Sequence, residues 1–185
     1  VIDDTLLEAE DKMDKAVEVA QERMSHIRSG RASAGMFNSI LVDYYGAPTP
    51  LQQLASLTIP EARTVLISPY DRSAATAIDK ALRESDLGVN PTDDGTHLRV
   101  VLPALTEERR KDYVKLARTE AEDARISVRS VRRKAKDELD RLVKDGEVGE
   151  DDGTRAEKEL DSLTKAHVDS IDRIVEAKEK ELLEV

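Results

Sequence analysis

Apolar residues recur along three long stretches of this chain at steps of three and four. From Thr106 to Gly146 they fall at Tyr113, Ala117, Ala121, Ala124, Val128, Val131, Ala135, Leu139 and Leu142, the spacing of one helix face. Thr106 suits an N-cap, and Glu107 and Glu108 sit where the positive end of the helix dipole favours acids. Lys144 and Gly146 supply a basic last turn and a left-handed stop. At about 1.5 Å per residue this helix would run roughly 60 Å, so it predicts the spine of an elongated bundle. Ile2 to Arg28 repeats the pattern at Ile2, Leu6, Ala9, Met13, Ala16, Ala20, Met24 and Ile27, with Gly30 just beyond. A third stretch begins near Asp152 and keeps the period at Ala156, Leu160, Leu163, His167, Ile171, Ile174 and Leu182. The acidic loop Gly146–Gly153 is short, which makes the second and third helices antiparallel neighbours. The first and third then run parallel, and the three stripes close into one three-helix bundle built from both chain ends.

Between residues 31 and 104 the period changes. Ile40 to Tyr45, Leu54 to Ile59, Thr64 to Ile67 and His97 to Leu102 read as short strands, and Ser73 to about Ser85 as a helix closed by Gly88. Gly46-Ala47-Pro48-Thr49-Pro50 breaks the first strand, Pro60 and Pro69 mark the ends of the next two, and Asp93-Asp94-Gly95 is turn chemistry. The expected fold class is therefore α+β. A bundle domain of residues 1–30 and 105–185 carries an inserted α/β module, sandwich- or barrel-like, of residues 31–104. The chain crosses between them at Ser29-Gly30-Arg31 and at Leu102-Pro103-Ala104, and two such short crossings predict a hinge.

Charge adds a second pattern to the spine. One residue on from its apolar stripe lie Lys111, Lys115, Arg118, Glu122, Arg125, Arg129, Arg132 and Lys136, with Arg133 beside them. From Leu105 to Lys136 there are 11 Lys and Arg against 6 Asp and Glu, a surplus of +5 in a chain whose net charge is −10. Such a run can be a solvated face laced with i, i+4 pairs. It can equally bind a polyanion, because arginine forks two hydrogen bonds onto a phosphate. The acidic balance elsewhere argues against indiscriminate coating of nucleic acid, so any contact would be local and shaped.

Catalytic and ligand-binding patterns are missing. His26, His97 and His167 fall in three different elements without metal-ligand spacing and read as packing or surface residues. No phosphate-binding glycine loop and no nucleophile elbow occurs. The expectation is a non-enzyme with no cofactor and no metal. Tyr44-Tyr45 could stack on bases or split between core and surface. With 37% charged and 3% aromatic residues and no cysteine, the chain reads as a helix-rich protein of a reducing compartment, the cytosol. No apolar run approaches a membrane span and the first residues are acidic, so neither membrane nor leader is expected.

Five strings in order resemble the bacterial ribosome recycling factor family: Ile27-Arg28-Ser29-Gly30-Arg31-Ala32; Asp43-Tyr44-Tyr45-Gly46-Ala47-Pro48-Thr49-Pro50 continuing to Gln53-Leu54-Ala55-Ser56; Ser85-Asp86-Leu87-Gly88-Val89-Asn90-Pro91; Leu105-Thr106-Glu107-Glu108-Arg109-Arg110-Lys111; and Ser127-Val128-Arg129-Ser130-Val131-Arg132-Arg133. Ser29 stands where the family usually has Thr, and Ser130 where it usually has Asn. The resemblance implies an L-shaped, tRNA-like monomer that occupies the post-termination ribosome over the A and P sites on its large-subunit side. Elongation factor G with GTP would then drive the subunits apart. It implies that the family's RNA-binding arginines correspond to Arg110, Arg129, Arg132 and Arg133, with Arg28 and Arg31 flanking the hinge as further contributors. It places the bundle on large-subunit ribosomal RNA, and the inserted module towards the small subunit and elongation factor G. The alternative is a helical scaffold or chaperone with a basic RNA-binding face, and a hydrolase on the small module lacks a nucleophile–base pair.

Overall fold

A computed structural model of the chain describes residues 1–184. It divides into two compact units, Val1–Arg28 with Glu107–Glu184, and Ser29–Thr106. The first holds three helices, α1 (Ile2–Ser25), α4 (Glu107–Lys144) and α5 (Glu150–Leu183), each packed on the other two. The second holds β1 (Leu41–Tyr44), β2 (Ala47–Pro50), the single turn α2 (Leu51–Leu54), β3 (Ala55–Glu61), β4 (Thr64–Pro69), α3 (Ala75–Glu84), β5 (Thr92–Asp93) and β6 (Leu98–Val101).

The bundle core is built from the expected stripes. Met13, Ala117, Ala121, Val128, Leu160, Ile171 and Leu182 are sealed from solvent, and the many alanines of α4 let its neighbours approach closely. At 38 residues, α4 is about 57 Å long. It ends in a Schellman motif: Gly146 takes φ +75°, its N–H donates to the Val143 carbonyl, and the Glu147 N–H donates to that of Leu142. Helix α5 starts at Glu150, earlier than Asp152, because extended Gly149 serves as its N-cap and Glu150, Asp151 and Asp152 all fill the first turn. A Cβ added to Gly153 would lie 2.5 Å from Val143 Cγ2, so glycine lets the two helices meet just beyond their loop. One residue of the α5 seam breaks the apolar rule. Lys178 is buried between Val175 and Leu182 and reaches Glu181 at 3.5 Å.

The inserted unit has a β1–β2 hairpin and a four-stranded antiparallel sheet in the order β3-β4-β6-β5. Its core centres on Phe37, Val42, Leu51, Val65, Ile67, Ile78, Leu82, Leu98 and Val100. The segment Ala47–Pro50, expected to break a strand, instead forms one. Its two-residue turn places Tyr45 and Gly46 at φ +49° and +82°, as a type I′ hairpin needs. Pro48 and Pro50 face Asp43 and Leu41. In the alternation set by this turn these are the pairs that exchange no ladder hydrogen bonds, so the missing N–H groups go unused. Pro60 likewise sits inside β3, not at its end. β3 is an edge strand whose register shifts between Thr58 and Glu61, and an irregular edge tolerates proline. Tyr44 packs against the module core and donates to Asp71 Oδ2 at 3.1 Å, whereas Tyr45 is 83% exposed at the hairpin tip.

Both ends of the insertion are fastened to the same turn of this sheet. The Ala32 N–H donates to the Ala62 carbonyl at 2.7 Å, and the Leu102 N–H to the Arg63 carbonyl at 2.7 Å. The Arg63 guanidinium closes back on the Leu102 carbonyl at 3.3 Å. Leu102 is also buried.

Candidate nucleic-acid interface

On α4 the basic stripe separates into two rows. Arg118, Arg125 and Arg132 recur every seven residues and, with Lys136, lean towards α5. The opposing carboxylates stand there in one antiparallel register: Glu179 beside Arg118, and Asp172 beside Arg125 at 2.8 Å. A four-residue step then puts Asp161 beside Arg132 at 2.6 Å and Glu157 beside Lys136 at 3.8 Å. This is the geometry by which flanking charges fix the pairing of adjacent helices. Arg125 also holds Glu122, and Lys136 also holds Asp140.

The pairing shows in the titration of these cations. The hydrogen bond and charge of Glu179 raise the Arg118 pKa above its ordinary value. Partial burial pulls the Arg125 pKa down, but Asp172 and Glu122 outweigh it and leave it raised. Asp140 and Glu157 raise that of Lys136. These cations stay charged at any physiological pH.

The outer row is Lys115, Arg129 and Arg133, all exposed. Lys134 is also exposed but sits about 100° further round the helix, beside Asp4, Glu8 and Lys12 of α1. Arg129 has a loose contact to Glu122 at 3.5 Å. Lys115, Arg133 and Lys134 have no ionic or hydrogen-bonding partner among the described residues. Arg129, Arg132 and Arg133 therefore occupy little more than one turn, two on the outer ridge and one on the flank. Arg132 offers both Nε and Nη2 to a single Asp161 oxygen, which leaves Nη1 for another acceptor. Arg110 lies elsewhere, about 28 Å back along the helix axis and on the line of the apolar stripe. It is half-buried, and its Nε is shut off from solvent without a hydrogen-bond partner among the described residues. Arg28 closes the first unit's opening segment, whereas Arg31 belongs to the inserted unit; both are exposed.

The α5 carboxylates escape a reading of α4 alone, because each stands 21 to 61 residues from its cation. The signal was present nonetheless: a seven-residue repeat of arginine on one helix and Asp172 and Glu179 seven apart on its antiparallel neighbour.

Comparison with known proteins decides what this architecture is. The family model described as ribosome recycling factor matches residues 20–183. The chain belongs to the ribosome recycling factor family. The ribosome-recycling factor of Beutenbergia cavernae is 70% identical over 185 residues, covering all of both chains. That of Kineococcus radiotolerans is 68% identical over the same full span. Among solved structures, a solution structure of the ribosome recycling factor superposes with a TM-score of 0.75 at 41% identity, covering 100% of this chain and 98% of that one. A chain from models for the T. thermophilus ribosome recycling factor and the E. coli elongation factor G bound to the E. coli post-termination complex matches with a TM-score of 0.64 at 39% identity, covering 99% of each chain. Family members of this kind are non-enzymatic translation factors. No helix among the described residues is long and apolar enough to cross a membrane.

Proposed function

We propose that this cytoplasmic chain binds the large side of the post-termination ribosome and, with elongation factor G and GTP, releases the two subunits for a new round of translation. The observation that carries this reading is full-length identity of 70% to a ribosome-recycling factor. The basic α4 surface supplies a physical means. Arg129 and Arg133 project from the ridge to meet ribosomal RNA phosphates, and Arg132 adds its remaining guanidinium edge. An RNA oxygen at Arg110 would satisfy an Nε that otherwise stands desolvated, a state that costs about 1–3 kcal/mol. Arg28 and Arg31 add charge on either side of the first crossing.

The work of splitting comes from the partner's GTP hydrolysis, and this chain contributes an anchor and a lever. In this reading the pivot is Ser29-Gly30-Arg31 with Pro103-Ala104. Ala32 and Leu102 are already fastened to the β3–β4 turn, and Gly30 adopts φ +82°, a conformation open to glycine and strained for most other residues.

Light scattering of post-termination ribosomes tests the function directly. Scattering should fall only when the chain, elongation factor G and GTP are all present; no fall with all three refutes it. A disulfide engineered across the joint, with one cysteine on each unit, should leave large-subunit binding intact. It should also slow splitting until reduced. Equal splitting rates before and after reduction would remove the pivot.

A further inference from the structure

We infer that the α5 carboxylates Glu157, Asp161, Asp172 and Glu179 are a built-in counter-charge that limits how tightly the α4 stripe holds RNA. The inference rests on the reading that this stripe faces ribosomal RNA. It concerns a different set of residues and a different property, namely selectivity and release. The distances carry it. Arg125 and Arg132 already make contacts of 2.8 and 2.6 Å to Asp172 and Asp161, and Arg118 is likewise held by Glu179. A phosphate arriving at any of them must displace or share a carboxylate in place.

The consequence follows from how polyanions bind. A free Lys or Arg that neutralises a phosphate releases a condensed counterion from the nucleic acid, and each such event steepens the salt dependence of binding. A cation already neutralised by a neighbouring carboxylate contributes little to that effect. Here the inner row is neutralised by α5, whereas in the outer row Lys115 and Arg133 have no partner among the described residues and Arg129 keeps only a loose contact to Glu122 at 3.5 Å. The stripe therefore acts as a few free charges at defined positions backed by a compensated row. Such a surface holds RNA weakly unless its shape matches the outer row. A fully uncompensated stripe, with the surplus of +5 over residues 105–136, would grip any RNA. The α5 acids thus act through the arginines they hold, as positioning residues that set affinity.

The test compares three proteins for binding to poly(U) and to isolated large subunits across a salt series. They are the parent chain, the rail variant Asp161→Asn/Asp172→Asn/Glu179→Gln, and the control Asp3→Asn/Asp4→Asn/Glu18→Gln. The control removes the same charge from acids of α1 that hold no cation among the described residues. The amides can still accept from the guanidinium groups, which keeps the arginines in place while removing the charge. For the rail variant the slope of log K against log salt on poly(U) should steepen by about 1.4, near 0.7 for each of the two cations freed, Arg118 and Arg132, because Arg125 keeps Glu122 at 3.0 Å. Its affinity at low salt should rise at least ~10-fold, while the control changes little. Asp161→Asn alone should steepen the slope by about 0.7, which serves if the triple variant is poorly folded by circular dichroism. An unchanged slope in both rail variants, or an equal change in the control, overturns the inference. A parent chain that fails to bind large subunits would instead refute the functional reading and leave the poly(U) comparison interpretable.

Discussion

His167 shows how much a single position depends on residues far away in sequence. It lies on the apolar line of α5 and its ring is largely buried, yet both ring nitrogens face acceptors. Nδ1 stands 2.6 Å from the Leu163 carbonyl, and Nε2 stands 2.6 Å from Asp14 Oδ1 on α1. Only the doubly protonated ring can donate to both. Burial opposes that charge, but the Leu163 carbonyl, Asp14 and Glu10 outweigh it, and the His167 pKa is raised. A raised folded pKa means stability that is complete below the unfolded value, about 6.5, and lost as pH climbs through the folded one. The melting temperature should therefore decline above about pH 6.5 more steeply in the parent chain than in His167→Gln; parallel profiles would show that the α1–α5 pair contributes nothing. The sequence marked His167 as a packing or surface residue but could not reveal Asp14, 153 residues away. The counter-charges of Arg118, Arg125 and Arg132 were hidden for the same reason, whereas Arg129 and Arg133 could be read directly because exposure on a helix follows from its period.

At the scale of elements, the long helices were legible because each repeats its signal over many turns. The short strands were less so. Pro48, Pro50 and Pro60 read as breakers, and only the pairing register shows that a proline at a non-bonded or irregular edge position leaves a strand intact. The α4–α5 hairpin offers a sharper test of packing. Alanine at Gly153 gains about 1 kcal/mol in helix propensity. It also drives a Cβ to 2.5 Å from Val143 Cγ2, the far carbon of a short, stiff, β-branched side chain. Overpacking of that kind costs about 1–3 kcal/mol. Urea unfolding should find Gly153→Ala net destabilised and partly rescued by Val143→Ala in the same chain. A Gly153→Ala protein more stable than its parent would show that the helices part freely there.

For the whole molecule, the three long apolar stripes and the core of the bundle lie outside residues 31–104, and the inserted unit has its own core around Phe37, Ile67 and Leu98. Replacing residues 31–104 by a short Gly/Ser linker should leave a cooperative, almost wholly helical protein by circular dichroism; a molten product would mean that the two cores depend on each other. The bundle, the insertion and the basic stripe were all legible as patterns. Which charges on that stripe stand free was not, because it depends on how α5 lies against α4. The account stands on the claim that the outer row anchors the factor to the large subunit. Its most direct test is the affinity for isolated large subunits of Arg129→Glu/Arg133→Glu beside Arg173→Glu, a charge reversal on the exposed side of α5. The first should weaken binding at least ~10-fold, the scale of lost charge-assisted contacts plus new repulsion, and the second should change it little. Equal losses in both, or no loss in the first, would contradict the account.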